Sequence, residues 1–194
     1  MSIKPLATVT GLVVLLLSTA GQATSVVAMN LDELTQRSDA IVIGTAKNVT
    51  YGMHPTAGYP VTKTTFKVDE TLYGDESVQE RTVSVVGGPA GNGLVTVVPG
   101  MPRFKVDEKA VLFLVTDPAT GNAVPTGLQQ GVFRIKVDPK TEKEYIVNQS
   151  VDLGVTSLNS DAAKARTKKK AENLSLVEFK TLLKKKLKAR KKLK

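Results

Sequence analysis

Residues 41–114 constrain the fold most, because apolar runs of strand length recur there between turn residues. In residues 40–49, Ile41 and Ile43 alternate with Val42, which predicts a strand buried on at least one face. Residues 52–60 hold two Gly, two Pro and the lone His54, and read as a loop or a wide hairpin connection. From 64 to 72, Phe66, Val68 and Leu72 are expected on one side and Thr65, Lys67, Asp69 and Thr71 on the other, as in a half-solvated antiparallel strand. Residues 81–86 form a further expected strand, with Val83 and Val85 inward. The glycine-rich 87–93 reads as a flexible loop, with a short strand at 94–98 after it. Residues 110–115 are apolar without alternation, which places them centrally with both faces covered. Residues 131–137 alternate again, and 144–147 return as their hairpin partner.

No long helical period occurs between residues 40 and 148, and no internal repeat is found. Short strands at regular spacing predict an all-β domain, a single OB-like or small antiparallel β-barrel. A short helix precedes it: Asn30 is a plausible N-cap, Glu33 follows at capping-box spacing, and Leu31 and Leu34 share a face.

A second helix is expected from residue 174. Ser175 and Glu178 have capping-box spacing, and Leu174 and Phe179 occupy the hydrophobic-staple positions. Leu176, Phe179, Leu183 and Leu187 form one stripe, with Leu182 beside it. That stripe predicts docking on the strand domain.

Charge is divided unevenly. Residues 161–194 carry 14 Lys or Arg and 3 Asp or Glu, a net +11. Since the whole chain has 27 basic and 18 acidic residues, residues 1–160 carry 13 and 15, a net −2. The basic character therefore belongs to the C-terminal segment, where Lys184, Lys185, Lys186, Lys188, Arg190, Lys191, Lys192 and Lys194 are the candidate contacts to an anionic surface. No aromatic residue lies among these lysines, so base stacking is missing and sequence-specific nucleic-acid recognition is not expected.

The N-terminus has Lys4, an apolar run of about 13 residues and small residues at Gly21 and Ala23, with Val26-Val27-Ala28 as a second cleavage pattern. The run is shorter than the ~20 residues of a membrane span. Residues 1–23, or 1–28, thus read as a secretory signal peptide, and the domain as exported. The remaining expected parts are the strand domain at 29–148, a polar and basic linker at 149–173 and the basic helix at 174–194. With no Cys, the domain must hold by packing alone.

Reactive chemistry is sparse. His54 is the only imidazole, so a Ser–His–Asp triad would have to use it. It sits among Gly and Pro, where a solvated surface role is expected. The pairs Asp69-Glu70 and Asp107-Glu108 put neighbouring carboxylates on opposite strand faces, so neither converges on one substrate. The glycines of 87–93 lack the Lys-Ser/Thr of a phosphate loop. Residues 117–122 offer a few oxygens to a calcium ion, a weak signal. No cofactor, metal or catalytic residue is assigned.

Ser38-Asp39-Ala40-Ile41-Val42-Ile43-Gly44, Phe66-Lys67-Val68-Asp69-Glu70-Thr71-Leu72-Tyr73-Gly74, the glycine-rich segment from Gly87-Gly88, the run Pro102-Arg103-Phe104 through Ala110-Val111-Leu112-Phe113-Leu114, and Gln130-Gly131-Val132-Phe133 together resemble an uncharacterised family of exported bacterial all-β domains. The first two motifs are also distantly similar to the OB-type barrel of tissue metalloprotease inhibitors and netrin-like domains. Those inhibitors reach zinc through an N-terminal Cys, which this chain lacks, so their mechanism does not carry over. The expected role is a non-enzymatic binding domain whose basic helix contacts an anionic envelope polymer or lipid surface. The alternatives are an inhibitor-like module meeting a protein partner through loop 52–60 or 87–93, and a carboxylate-dependent hydrolase.

Overall fold

The computed structural model describes residues 27–91, 93–148 and 174–192. The expected leader at 1–23 and the expected linker at 149–173 lie outside the described residues, as does all but residues 27 and 28 of the alternative leader 1–28.

Helix α1 (Leu31–Arg37) starts where Asn30 predicts: the Asn30 side chain accepts from the Glu33 N–H, and the Glu33 carboxylate accepts from the Asn30 N–H. Among the described residues nine strands follow: β1 (Ala40–Met53), β2 (Pro60–Tyr73), β3 (Glu80–Val86), β4 (Gly88–Gly91), β5 (Leu94–Thr96), β6 (Lys109–Thr116), β7 (Ala123–Pro125), β8 (Val132–Val137) and β9 (Glu144–Val147). A 3-10 turn, Leu128–Gly131, separates β7 from β8, and helix α2 (Leu176–Lys192) ends the described chain.

Seven strands make one mixed sheet in the order β1-β2-β3-β7-β6-β8-β9. Because β1 also pairs with β6, the strands β1-β2-β3-β7-β6 form a ring of five. One edge of β6 is shared. Its start, Ala110 to Leu112, pairs with β8, and its end, Leu114 to Thr116, pairs with β7. The sheet therefore forks at β6: one branch closes the ring, and the other carries β8 and β9 away from it.

This fork explains why residues 110–115 are apolar on both faces. Ala110, Leu112 and Leu114 point into the ring with Val42, Ala46, Phe66, Val83, Val85 and Phe104. Val111 and Phe113 point outward and join Ile41, Ile43, Phe133, Ile135 and Ile146 beneath both helices. Phe104, from the loop before β6, packs edge-on against Phe66 with ring centroids 4.9 Å apart.

Several expectations are corrected. The sheet is not wholly antiparallel, since β3 and β7 run parallel at Val83 and Ala123. The segment 87–93 is not simply a loop: Gly88–Gly91 pairs with Leu94–Thr96 as a separate two-stranded sheet. Leu72 does not share a face with Phe66 and Val68, because it packs under the helices. The cause is irregular register. Between β1 and β2, the partners skip Asp69 and Leu72 on β2 and Lys47 on β1, and each skipped residue turns the following side chains over. Gly44 sits at one such step, where an added Cβ would lie 2.9 Å from the Lys67 carbonyl oxygen.

Helix α2 docks as its stripe predicts. Leu176, Phe179, Leu183 and Leu187 are all buried in the outer cluster, and the Phe179 ring lies 4.9 Å from that of Phe133. Its lead-in also joins the sheet. Tyr145 bridges to Ser175, and the Ile146 N–H donates to the Leu174 carbonyl, which covers the free edge of β9. Replacing Phe179 by Ala should lower unfolding stability by about 3–5 kcal/mol, the usual cost of an emptied aromatic site, read by urea titration.

Candidate surface-contact site

The order in which α2 uses its cations follows from helix geometry. At 3.6 residues per turn, Arg190 falls on the same stripe as Leu183 and Leu187, Lys180 and Lys186 fall at its borders, and Lys184, Lys185 and Lys188 fall on the far side. The contacts agree. The Arg190 guanidinium donates to the carbonyls of Thr35 (2.6 Å) and Ser38 (2.9 Å), closing the end of α1, and sits 4.3 Å above the Tyr73 ring. Lys186 Nζ lies 2.7 Å from both carboxylate oxygens of Asp32, in the first turn of α1. Lys180 Nζ lies 2.5 Å from Glu70 on β2.

The expected contact residues therefore divide. Lys186 and Arg190 are held by the body of the protein, while Lys184, Lys185 and Lys188 are exposed. Lys191 and Lys192 belong to the last turn of α2, and Lys194 lies outside the described residues. Net charge alone does not reveal the roles of Lys180 and Arg190, although their positions on the helical wheel carry the signal.

The start of α2 is capped as expected. The Ser175 hydroxyl accepts from the Glu178 N–H, and the Glu178 carboxylate accepts from the Ser175 N–H (3.0 Å) and hydroxyl (2.6 Å). The Ser175 hydroxyl, then its N–H, hold the Glu178 carboxyl below its usual value. A lowered pKa means the cap contributes above the ordinary carboxylate range and is lost as pH falls through the lowered value.

At the other end of the ring, the hairpin of β1 and β2 extends beyond Thr45, where β6 leaves it. Strand β4 crosses it near its tip, at the Tyr51–Thr62 pair. Thr62 Oγ1 donates to the Gly87 carbonyl, and a Cβ at Gly88 (φ 131) would meet Thr62 Oγ1 at 2.6 Å and the Tyr51 ring at 3.3 Å. Glycine alone permits that approach. His54 serves the hairpin turn. Its Nδ1 accepts from the Thr56 and Ala57 N–H groups, and its ring lies 4.7 Å from Tyr59. It is half-buried rather than free in solvent.

The carboxylates considered for chemistry are engaged elsewhere. Asp69 accepts from Thr45, Glu70 pairs with Lys180, and Glu108 pairs with Arg134 and accepts from the Lys105 N–H. Asp117 is lowered chiefly by the Thr120 hydroxyl, then by the Ala119 N–H, and least by His54. That loop is closed by its own hydrogen bonds, and among the described residues no group of three His, Cys, Asp or Glu could hold a metal ion. No described helix is long and apolar enough to cross a membrane.

The chain matches no protein-family model and no curated protein, so its role rests on its own residues. Arg190→Ala should cost about 1.5–3 kcal/mol, because it removes charged hydrogen bonds to two α1 carbonyls, whereas Lys186→Ala should cost under about 1 kcal/mol. Denaturant titration of the two variants side by side checks this order.

Proposed function

We propose that this chain is an exported, non-enzymatic binding module whose α2 helix presents cations to an anionic surface. The observation that carries the reading is the division of α2 into a docked side and a free side. Leu176, Phe179, Leu183, Leu187 and Arg190 fix the helix, and Lys184, Lys185 and Lys188 face outward from a fixed frame. A cationic group near an anionic surface gains about 1 kcal/mol. Three held on one face act together without the ordering cost that a loose tail would incur on contact.

The ring of five strands supports an OB-like barrel as the finer description. The order β1-β2-β3-β7-β6 with a parallel β3–β7 contact suits a five-stranded Greek-key closure. Its interior is filled by buried Val, Leu, Ala and Phe, which favours recognition on the outside. The family of exported bacterial domains and the more distant netrin-like barrels fit the same reading.

Export rests on the N-terminal apolar run. Of the two cleavage positions, the one after Ala23 is favoured. Gln130, itself buried, donates from Nε2 to the Val27 carbonyl (3.0 Å) and accepts from the Met29 N–H at 2.6 Å. Cleavage after Ala28 would remove half of that clamp.

The test is retention of the full chain on a heparin matrix and on phosphatidylglycerol vesicles. Lys184→Gln, Lys185→Gln and Lys188→Gln together should weaken binding by about 3 kcal/mol, on the order of a hundredfold, at low salt. Salt should erase most of the difference. Equal retention of parent and variant on heparin at low salt would remove the reading.

A further inference from the structure

The far end of the β1–β2 hairpin carries an unusual surface. Tyr51, Met53, Leu94, Val95 and Val97 are each between 54% and 68% exposed, and Tyr59 stands beside His54. These residues come from two hairpins in contact, since β4 lies against the Tyr51 ring and β5 pairs with β4. Single exposed apolar residues are ordinary; a group of six on adjoining hairpins calls for a covering partner.

The charge around the group narrows the partner. No Asp or Glu occurs between Asp39 and Asp69, or between Glu80 and Asp107. Strands β1 to β5 are drawn from those two stretches, apart from the ends of β2 and β3. The two arms of the β1–β2 hairpin carry exposed Lys47, Lys63 and Lys67 instead. On the second arm of the hairpin, Lys63 pairs with Thr50, so it leaves the hairpin on the face opposite the neighbouring Tyr51–Thr62 pair. Asp117, in the turn between β6 and β7, is tied by its carboxylate to Thr120 and Ala119.

We infer that this end of the ring is a docking surface for an anionic lipid bilayer. Leu94, Val95, Val97 and Met53 enter the headgroup boundary, and Tyr51 and Tyr59 sit at its level. Aliphatic side chains on hairpin ends have no concave partner to fill, so a fluid apolar layer accommodates them better than a shaped protein surface. Tyrosine prefers the bilayer interface, where its ring is dry and its hydroxyl wet. Flanking lysines add attraction to anionic headgroups, and two weak signals together give stable attachment where one does not. The acid-free stretches remove the repulsion that such headgroups would otherwise exert. This contact uses residues separate from α2 and stands or falls separately from the helix.

The chain has no Trp, so a single introduced indole reports on the hairpin alone, whatever other segments do. Val97→Trp is made in the full chain, and Glu76→Trp, on the β2–β3 turn at the opposite end of β2, is the control. Phosphatidylglycerol–phosphatidylcholine vesicles, with and without brominated acyl chains, are titrated into each. The expected result is a blue shift and bromine quenching for Val97→Trp and neither for Glu76→Trp. Adding Leu94→Ser and Val95→Ser to the Val97→Trp chain should then raise the lipid concentration for half-maximal shift at least tenfold. Heparin retention should stay as in the parent, which distinguishes failure of the hairpin contact from failure of the α2 contact. Indole emission of the Val97→Trp chain unchanged by vesicles overturns the proposal. So does a dimer of the parent chain, seen by sedimentation velocity without lipid, that Leu94→Ser and Val95→Ser dissolve, because a second copy would then cover the patch.

Discussion

Contact between the α2 stripe and the outer face of β1, β6 and β8 decides how the rest of the molecule is arranged. Ile41, Ile43, Val111, Phe113 and Phe133 would lie open on one side of the sheet without it. Their mates on the other side, Val42, Ala110, Leu112 and Val132, already fill the ring. A sheet with two apolar faces needs a layer on each. Strands β1 and β6 obtain one from the curled sheet itself and the other from α1 and α2. Helices in proteins draw most of their stability from packing of an amphipathic face, so α2 in turn depends on that face for its shape.

Polar contacts set the angle at which this layer sits. Arg190 joins the end of α2 to the end of α1 and to Tyr73 of β2. The Ser38 hydroxyl lies 2.7 Å from the Leu34 carbonyl, to which it donates, and 2.8 Å from the Thr126 hydroxyl, so it ties the end of α1 to the turn after β7. Asp39 accepts from the Thr116 N–H while its own N–H donates to the Leu114 carbonyl, so the chain leaves α1 already in register with β6. These bonds, more than the exposed ion pair of Lys186 and Asp32, hold the helices to the ring. The consequence is electrical. Lys180, Lys186 and Arg190 are turned to the body, and Lys184, Lys185 and Lys188 remain outward.

The parts of this arrangement that could be read in the sequence were those written in a single strong pattern. The unbroken apolar run of 110–115 announced a strand covered on both faces, and Asn30/Glu33 and Ser175/Glu178 announced where two helices begin. The stripe Leu176/Phe179/Leu183/Leu187 announced the docked helix. The parts that escaped depend on relations between distant residues. Strand β7 has three residues and ends in Pro125, too short to show a period, yet it closes the ring through β3. Leu72 obeys the alternation of its own strand, and only the residues skipped on β2 in its pairing with β1, Asp69 and Leu72 itself, reveal that it faces the helices. Glycines in 87–91 suggested looseness, while their use is to let β4 pass against Tyr51 and Thr62. The candidate site was half legible: net charge singled out α2, but separating docked from free cations needed the helical wheel and the body beneath it.

The central claim is that ring and α2 form one cooperative unit, so that the free lysines are held in place rather than trailing. Native-state hydrogen exchange of the full chain tests it most directly. If ring and helix are one unit, the amides of Phe179, Leu183 and Leu187 should exchange with the same opening free energy, and the same denaturant dependence, as those of Val111, Leu112 and Phe113. Exchange of the α2 amides through a separate opening, several kcal/mol easier than that of β6 and insensitive to denaturant, would contradict it.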